Sequence, residues 1–503
     1  MNSESKKQMT VGAVLSYVTI AIELLTGLLY TPLVLKLLGQ SQYGIYSLVT
    51  SFIGYLTIFN AGANAAYIKF YIQTKEKDKS KVDDLNGLFL FIFSVLTVIG
   101  VSAGLIIAGF SPQLFGNKIL PQEYEIVRKC FVLLSILIGI TIFNSFFSSI
   151  VIANERFIFG KSINCLILIA SPLMTVPLLY KGCDCTVMIA VRTGVAIVML
   201  IVNIIFCLKN LHVKFTLERY NKDILRTIFM FMGIIALQSV TDQLNWQIDK
   251  LVLAHTHGTS QISIYSVGAT FNSIFMQLSG AVSGIFITQV NRLVSRNEQS
   301  GLNDLFIRTS RLNMYITCFV MLGFTFLGKA FVVRWAGAEY VDAFLVGWLL
   351  MMPLTMTMTL GLQLEIGRAK NLHHIQIKIN IILCIVNFGV SIPLAIKWGA
   401  LGSALGTFLT EIVICFIVQP LYIWKILKMD MRRTFFELIK ILPAMVIPFI
   451  LGVILNYFHF IMPEYKSIII FALIYSVIYA LSIWFLAMNK EEKSIVRKIV
   501  LRR

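Results

Sequence analysis

Fourteen stretches of roughly two dozen mostly apolar residues, each closed by a short polar break, follow one another from Val11 to Met488. A helical run of roughly 20 apolar residues matches the ~30 Å hydrocarbon layer of a bilayer. No water reaches that depth to satisfy a free N–H or C=O, so each stretch must close its backbone hydrogen bonds internally, as a helix does. Hydrophobic residues make up 57% of the chain and charged residues 14%, too few charges to clothe a soluble body of 503 residues. The chain is therefore expected to be an all-α polytopic membrane protein. Its helices are predicted near 11–37, 44–72, 85–110, 126–152, 162–180, 185–208, 228–254, 262–290, 305–333, 342–367, 375–396, 400–424, 438–458 and 467–488. The breaks are short and leave no room for an extramembrane domain. Lys6 and Lys7 precede the first run like the head of a signal peptide. That run continues past Leu35, holds Glu23 and lacks a small-residue cleavage pattern, so it reads as a retained helix.

The formal charge of +18 has a side. With both termini cytoplasmic, roughly three-quarters of the 43 lysines and arginines lie in or beside cytoplasmic segments. This is the positive-inside bias, and it orients the spans. The basic excess thus belongs to a membrane, and nucleic-acid binding is not expected. The tail over 490–503 is expected on the anionic leaflet. Most of the eight cysteines lie within helices as small apolar residues, and Cys183 and Cys185 flank Asp184 too closely to bridge and without further metal ligands.

The chain also repeats itself. Shifted by 219 residues, Gly39-Gln-Ser-Gln-Tyr-Gly-Ile-Tyr-Ser and on to Phe52 falls on Gly258-Thr-Ser-Gln-Ile-Ser-Ile-Tyr-Ser and on to Phe271, with half of the positions identical and no gap. Six helices separate the copies, an even number, so the two halves share an orientation, as in transporters built from parallel repeats. The expected organisation is an N-lobe over 1–212 (helices one to six) and a C-lobe over 213–424 (seven to twelve). Two further helices and a basic cytoplasmic tail follow over 425–503. The same shift lays Glu23 on Asp242, a carboxylate near mid-membrane in each half.

An ionisable side chain at the centre of a membrane helix costs roughly 2.5–3.5 kcal/mol on insertion scales, so its presence calls for a reason. Gln238, Asp242, Asn245 and Asp249 fall within about 60° of one another on a helical wheel, and Ser16, Thr19, Glu23, Thr26 and Tyr30 form a similar stripe. Such faces are expected to line a hydrated cavity between the lobes, with interhelical hydrogen bonding as the alternative reading. Arg192, well inside helix six, is placed to pair with Asp242 or Asp249 or to meet an anionic substrate. Lys69 lies close enough to the inner surface to snorkel. Glu411 is isolated at mid-depth, open to reading as a buried acid or a cavity residue. A carboxylate that gains and loses a proton as water access changes sides can couple transport to an ion gradient, H⁺ or Na⁺. Pro172, Pro177, Pro353, Pro443 and Pro448 are candidate kinks for moving bundles.

No catalytic constellation, cofactor site or metal set is expected. Gly160-Lys161-Ser162 looks like the end of a phosphate loop, but that motif needs glycine where Glu155 stands. No zinc-protease or Asp-x-Asp pattern is present, so the reading is a transporter rather than an enzyme.

Several segments resemble bacterial polysaccharide flippases of the Wzx type. Pro32-Leu-Val-Leu-Lys-Leu-Leu-Gly39 with Gln42-Tyr-Gly-Ile-Tyr-Ser47 is similar to their first-to-second helix segment. Phe59-Asn-Ala-Gly62, leading to Ile68-Lys69-Phe70-Tyr71, resembles the end of their second helix, with Asn60 and Lys69 where Asp and Arg are usual. Asp249-Lys-Leu-Val-Leu, Gly258 and Ile264-Tyr265-Ser266 resemble the seventh-to-eighth helix segment; Asn387 with Gly399-Ala-Leu-Gly402-Ser-Ala-Leu-Gly406-Thr407 resembles the eleventh-to-twelfth. The resemblance implies the two-lobed fold shared with multidrug/toxin extrusion (MATE) antiporters and lipid II flippases, in the multidrug/oligosaccharidyl-lipid/polysaccharide (MOP) exporter superfamily. It also implies a substrate, an oligosaccharide repeat unit on undecaprenyl diphosphate turned from the inner to the outer leaflet, and it makes Arg192 and Lys69 candidates for the diphosphate. Membrane lipids and polysaccharide polymerase or assembly proteins are the further partners it suggests. Alternatives are a MATE-type small-molecule antiporter and a lipid II flippase. A membrane polymerase fits worse, because no outer break is long enough to carry a catalytic loop.

Overall fold

The computed structural model describes residues 3–115, 121–216, 222–458 and 460–500, and within its helices it leaves out some side chains, among them those of Gln238, Asp242 and Asn245. The described residues form helices and connecting turns, with no strand among them. Ten helical runs are long and apolar enough to cross a bilayer. Two of these are of double length, Val14–Lys77 with 64 residues and His374–Ile426 with 53. The first breaks at Gly39 (φ 72°, ψ 177°), the second at Trp398 and Gly399 (φ 58°, ψ −134°). Thr259–Ile285 and Ile287–Ser295 make one more span, bent by 44°. Lys222–Thr256 has the length of a span, 35 residues, but its apolar part is only Leu225–Leu237 because the polar stripe follows. Among the described residues this makes fourteen segments of crossing length, as the hydrophobic pattern predicts. The protein is a multi-pass membrane protein.

These segments are numbered α1 (3–38), α2 (40–77), α3 (Val82–Phe115), α4 (Pro121–Ala153), α5 (Phe157–Tyr180), α6 (Thr186–Lys209) and α7 (Lys222–Thr256). They continue as α8 (259–295), α9 (Gln299–Trp335), α10 (Val341–Thr359), α11 (373–397), α12 (400–426), α13 (431–457) and α14 (465–487). A short helix, α15 (Lys490–Val500), follows.

Turn chemistry alternates from one end of the spans to the other. Described connections from odd to even spans turn on glycine at positive φ: Gly39, Gly182, Gly258, Gly337 and Gly399. Five from even to odd spans turn on Glu155, His212, Asn297, Asn371 and Lys428, all at φ 49–58°, while α2 to α3 turns through extended Asp78 (φ −155°) and a short 3-10 turn. The second group holds the left-handed conformation that commonly ends a helix and that residues with a Cβ can tolerate. Gly39, with ψ 177°, and Gly337, with φ 115° and ψ 158°, lie where a Cβ would collide with the backbone, so those two turns require glycine.

By packing, the chain divides into two units, Met1–Ser263 and Ile264–Arg503. In the first, α1 lies along α5, α4 packs against α3 and α6, and α7 packs chiefly on α2. The packing boundary therefore lies one helix beyond the repeat boundary near 212. In the second unit α9 is central, touching α10, α13 and α14. Its core runs through Phe306, Tyr315, Ile366, Ile423 and Tyr479.

Candidate functional site

The two copies of the repeated turn touch each other. Ser260 Oγ donates to Gln40 Oε1 at 2.6 Å, and Thr259 Oγ1 lies 3.5 Å from Ser41 Oγ. Under the 219-residue shift Gln40 corresponds to Thr259 and Ser41 to Ser260. Each position in one copy thus meets the other position in its partner, the reciprocity that a two-fold relation produces. Glu123, in the first turn of α4, gathers the contact. Ser41 donates to its carboxylate, and Thr259 Oγ1 approaches the same oxygen at 3.4 Å. The backbones meet as well, since a Cβ added at Gly44 would lie 1.9 Å from the Thr259 carbonyl oxygen.

From this end α2 and α7 run antiparallel, and glycines on α2 set their spacing. A Cβ at Gly54 would meet Gln243 Oε1 at 1.9 Å, and one at Gly62 the Met232 carbonyl at 2.5 Å. Small residues at membrane helix interfaces let backbones approach closely in this way. Further along, exposed Lys69 places its Nζ 4.1 Å from the Phe231 ring centroid and 5.7 Å from that of Phe70. Stacking a cation on two rings holds it by electrostatics while its remaining face stays open. Two aromatic rings thus hold the Lys69 ammonium.

The charges expected from sequence occupy different depths. Asp249 is buried at 2% exposure. It lies 18 residues beyond Phe231 on α7, about 27 Å at 1.5 Å per residue, so Lys69 and Asp249 do not meet. Arg192, six residues into α6, lies about 9 Å from the repeat-turn end, at the depth of Asp249. It is exposed and makes no ion pair with a described carboxylate. Glu23 lies 16 residues from Gly39, about 24 Å deep. Gln238, Asp242 and Asn245 fall on α7, but their side chains lie outside the described residues.

Facing matters more than depth. Val14, Val18, Leu25, Leu28 and Leu29 form the exposed apolar stripe of α1, and exposed Glu23 stands roughly 160° from its centre at 100° per residue. On α6 the stripe is Ile197, Val198, Ile201, Val202, Ile205 and Leu208, and Arg192 again stands roughly 160° away. Both charges are accessible on the side opposite the apolar surface. Beside Glu23, Thr26 and Tyr30 enter a groove of about 550 Å³ between α1 and α5, walled by Leu29, Pro172, Leu173 and Pro177. In the second unit Glu411 on α12 is half-buried.

Two clusters escape sequence reasoning. Glu123 looks like an ordinary acid favoring a helix N-terminus, and only its hydroxyl partners from two distant turns distinguish it. Arg311 on α9 is 3% exposed and uses Nε and Nη2 to grip Glu492 of α15 at 2.8 and 2.9 Å. It also binds Glu437 of α13, the Ala487 carbonyl and the Tyr315 hydroxyl. No local signal announces an arginine whose partners lie 126 and 181 residues away.

A family model described as "Polysaccharide biosynthesis protein" matches residues 33–345, more than half of the chain. The chain belongs to the polysaccharide biosynthesis protein family. A relative from Shigella flexneri, described as "Putative O-antigen transporter", is 22% identical over 410 residues, covering 76% of this chain and 90% of that protein. In fold this family member is similar to the lipid II flippase MurJ in an inward closed conformation, with TM-score 0.76 and 17% identity over 98% of this chain and 100% of that one. It is also similar to an inward-facing multidrug resistance MATE family transporter of the MOP superfamily, with TM-score 0.61 and 12% identity over 79% of this chain and 92% of that one. Likeness at such identities shows the fold, the one these two structures share. At Asn60, where the resembling flippases usually carry Asp, this family member has an amide that accepts from Ser145 Oγ, and Asn64 accepts from Ser149 Oγ at 3.0 Å. The two amides join α2 to α4, a structural use of that position.

Proposed function

We propose that the protein is a flippase that carries oligosaccharide repeat units, linked to undecaprenyl diphosphate, from the inner to the outer leaflet by alternating access. The observation that carries this reading is the pair of accessible charges, Glu23 and Arg192, held within spans yet turned away from the apolar surface. A charge facing acyl chains would cost roughly 2.5–3.5 kcal/mol, whereas one facing a hydrated path can meet a polar headgroup and sugars. In this reading the repeat halves over 1–212 and 213–424 move about their paired turns. Glu23 and Asp242 carry the coupling ion, H⁺ or Na⁺, with Gln238, Asn245 and Asp249 on the same polar path. Lys69 and Arg192 attract the diphosphate. The charge bias and the even number of spans support both termini on the cytoplasmic side of a bacterial inner membrane.

The test is complementation of cells lacking their own repeat-unit flippase. The wild type restores surface glycan, and Glu23→Gln or Asp242→Asn lowers it at least tenfold at equal protein level. Rescue of lipid II export, or drug resistance without glycan, would replace this reading with one of the two alternative transporters. In the same assay Lys69→Gln is expected to lower glycan export several-fold while Lys69→Arg preserves it, because the aromatic pair holds either cation. Equal export from both variants would remove Lys69 from the substrate path.

A further inference from the structure

The buried Arg311 side chain does something for the surface as well as for the core. Its guanidinium binds Glu437 with one arm and Glu492 with the other, so it holds the first part of α13 and α15 to the same point of α9. Both helices are amphipathic. Met431–Ile439 buries Met431, Thr434 and Leu438 and exposes Phe436 at 63% and Ile439 at 59%, with Arg432, Arg433 and Lys440 around them. Lys440 Nζ stands 4.5 Å over the Phe436 ring. On α15, Lys490, Lys493 and Arg497 share one face, at offsets of three and seven residues.

Trp484 sets the depth of this surface. It lies in the last turn of α14, the level at which indole rings gather in membrane proteins. Lys493 and Arg497 both approach its ring, at 6.0 and 5.9 Å. Their charges are therefore held at headgroup height. Of the two acids on α15, Glu492 is turned inward onto Arg311, and exposed Glu491 lies about 100° around the helix from Lys490. Arg433 pairs with Asp304 in a largely solvent-exposed bridge, and Lys440 reaches Glu437, which is 26% exposed and also held by Arg311. What remains outward is a basic rim around exposed apolar side chains.

We propose that α15 and the first part of α13 form a docking surface for the anionic headgroups of bilayer phospholipids, with Phe436 and Ile439 entering the acyl boundary. Charge complementarity selects the occupant: an apolar centre with a cationic rim fits a phosphodiester at an interface. This surface is remote in sequence from the charges assigned to the transport path and does not depend on the identity of the transported lipid.

The full-length protein reconstituted in nanodiscs tests the proposal. Thermal unfolding is compared between phosphatidylcholine discs and discs in which a third of the lipid is phosphatidylglycerol. The wild type is expected to unfold several degrees higher in the anionic discs, and the combined variant Lys490→Gln, Lys493→Gln, Arg497→Gln should lose most of that difference. A control variant in the first unit, Lys75→Gln, Lys77→Gln, Lys79→Gln, should keep it. The difference in the wild type alone should also shrink at high salt, which screens headgroup contacts. Equal midpoints in the two lipids, or an equal loss in the control variant, would overturn the proposal. If the combined variant does not fold, the salt series on the wild type decides: no salt effect overturns it.

Discussion

Arg311→Ala is expected to cost the second unit about 3–5 kcal/mol, because truncating one partner strands the other as an unpaired buried charge. The side chains of Arg311 and Glu492 are 4% and 6% exposed, and their two-pronged contact leaves water little access. Arg311→Lys should recover only part of the loss, since an ammonium cannot reproduce the planar fork. Changing both partners to apolar residues of similar volume should cost far less than changing either alone. Thermal unfolding of the purified protein reads all three variants; a loss below about 1 kcal/mol for Arg311→Ala would show the network to be marginal.

The same network predicts an acid dependence. Burial opposes ionisation of Glu492, but the hydrogen bonds from Arg311 and from the Asn489 N–H outweigh it and hold the carboxyl below the ordinary glutamate range. A carboxyl depressed in the folded state contributes stability that is complete above its unfolded pKa, about 4.3, and is lost as pH falls through the folded value. Wild-type protein should therefore lose stability on acidification below about pH 4 more steeply than Glu492→Gln.

Gly44→Ala is expected to have the second large effect. Its new Cβ would sit 1.9 Å from the Thr259 carbonyl oxygen, where real contacts are essentially never under 3.0 Å. The obstacle is backbone, so α2 and the Thr259 turn must part, and the contacts among Gln40, Ser260, Ser41, Thr259 and Glu123 go with them. Overpacking of this kind costs about 1–3 kcal/mol before those polar losses are counted. Gly27→Ala, with nothing within 4 Å of the added atom, is the matched control and should be silent. Comparable unfolding midpoints for the two variants would mean that the turns do not hold each other.

The spans were legible from sequence because hydrophobic length is a local property; each helix ends near where its apolar run does. Two turns were legible too, since Gly39 and Gly258 both stand at positive φ. α7 shows the limit. Its stripe of polar residues marks one face, yet Asp249 is buried near one end of the helix while Lys69 stacks on Phe231 near the other. Periodicity gives the direction of a side chain around its own axis and carries no information about which neighbour covers that direction. Asn60 and Asn64 make the same point: polar residues within a span became ties between α2 and α4.

Sequence by itself determined the membrane class, the fourteen helical segments and the repeated turn, since each depends on residues adjacent in the chain and on the thickness of a bilayer. Only the tertiary structure decided that the repeated turns clasp each other around Glu123, and that Arg311 joins helices more than a hundred residues apart. An ion pair or a reciprocal contact needs two helices brought to the same depth with matching rotation, and those two quantities are set by how the helices pack.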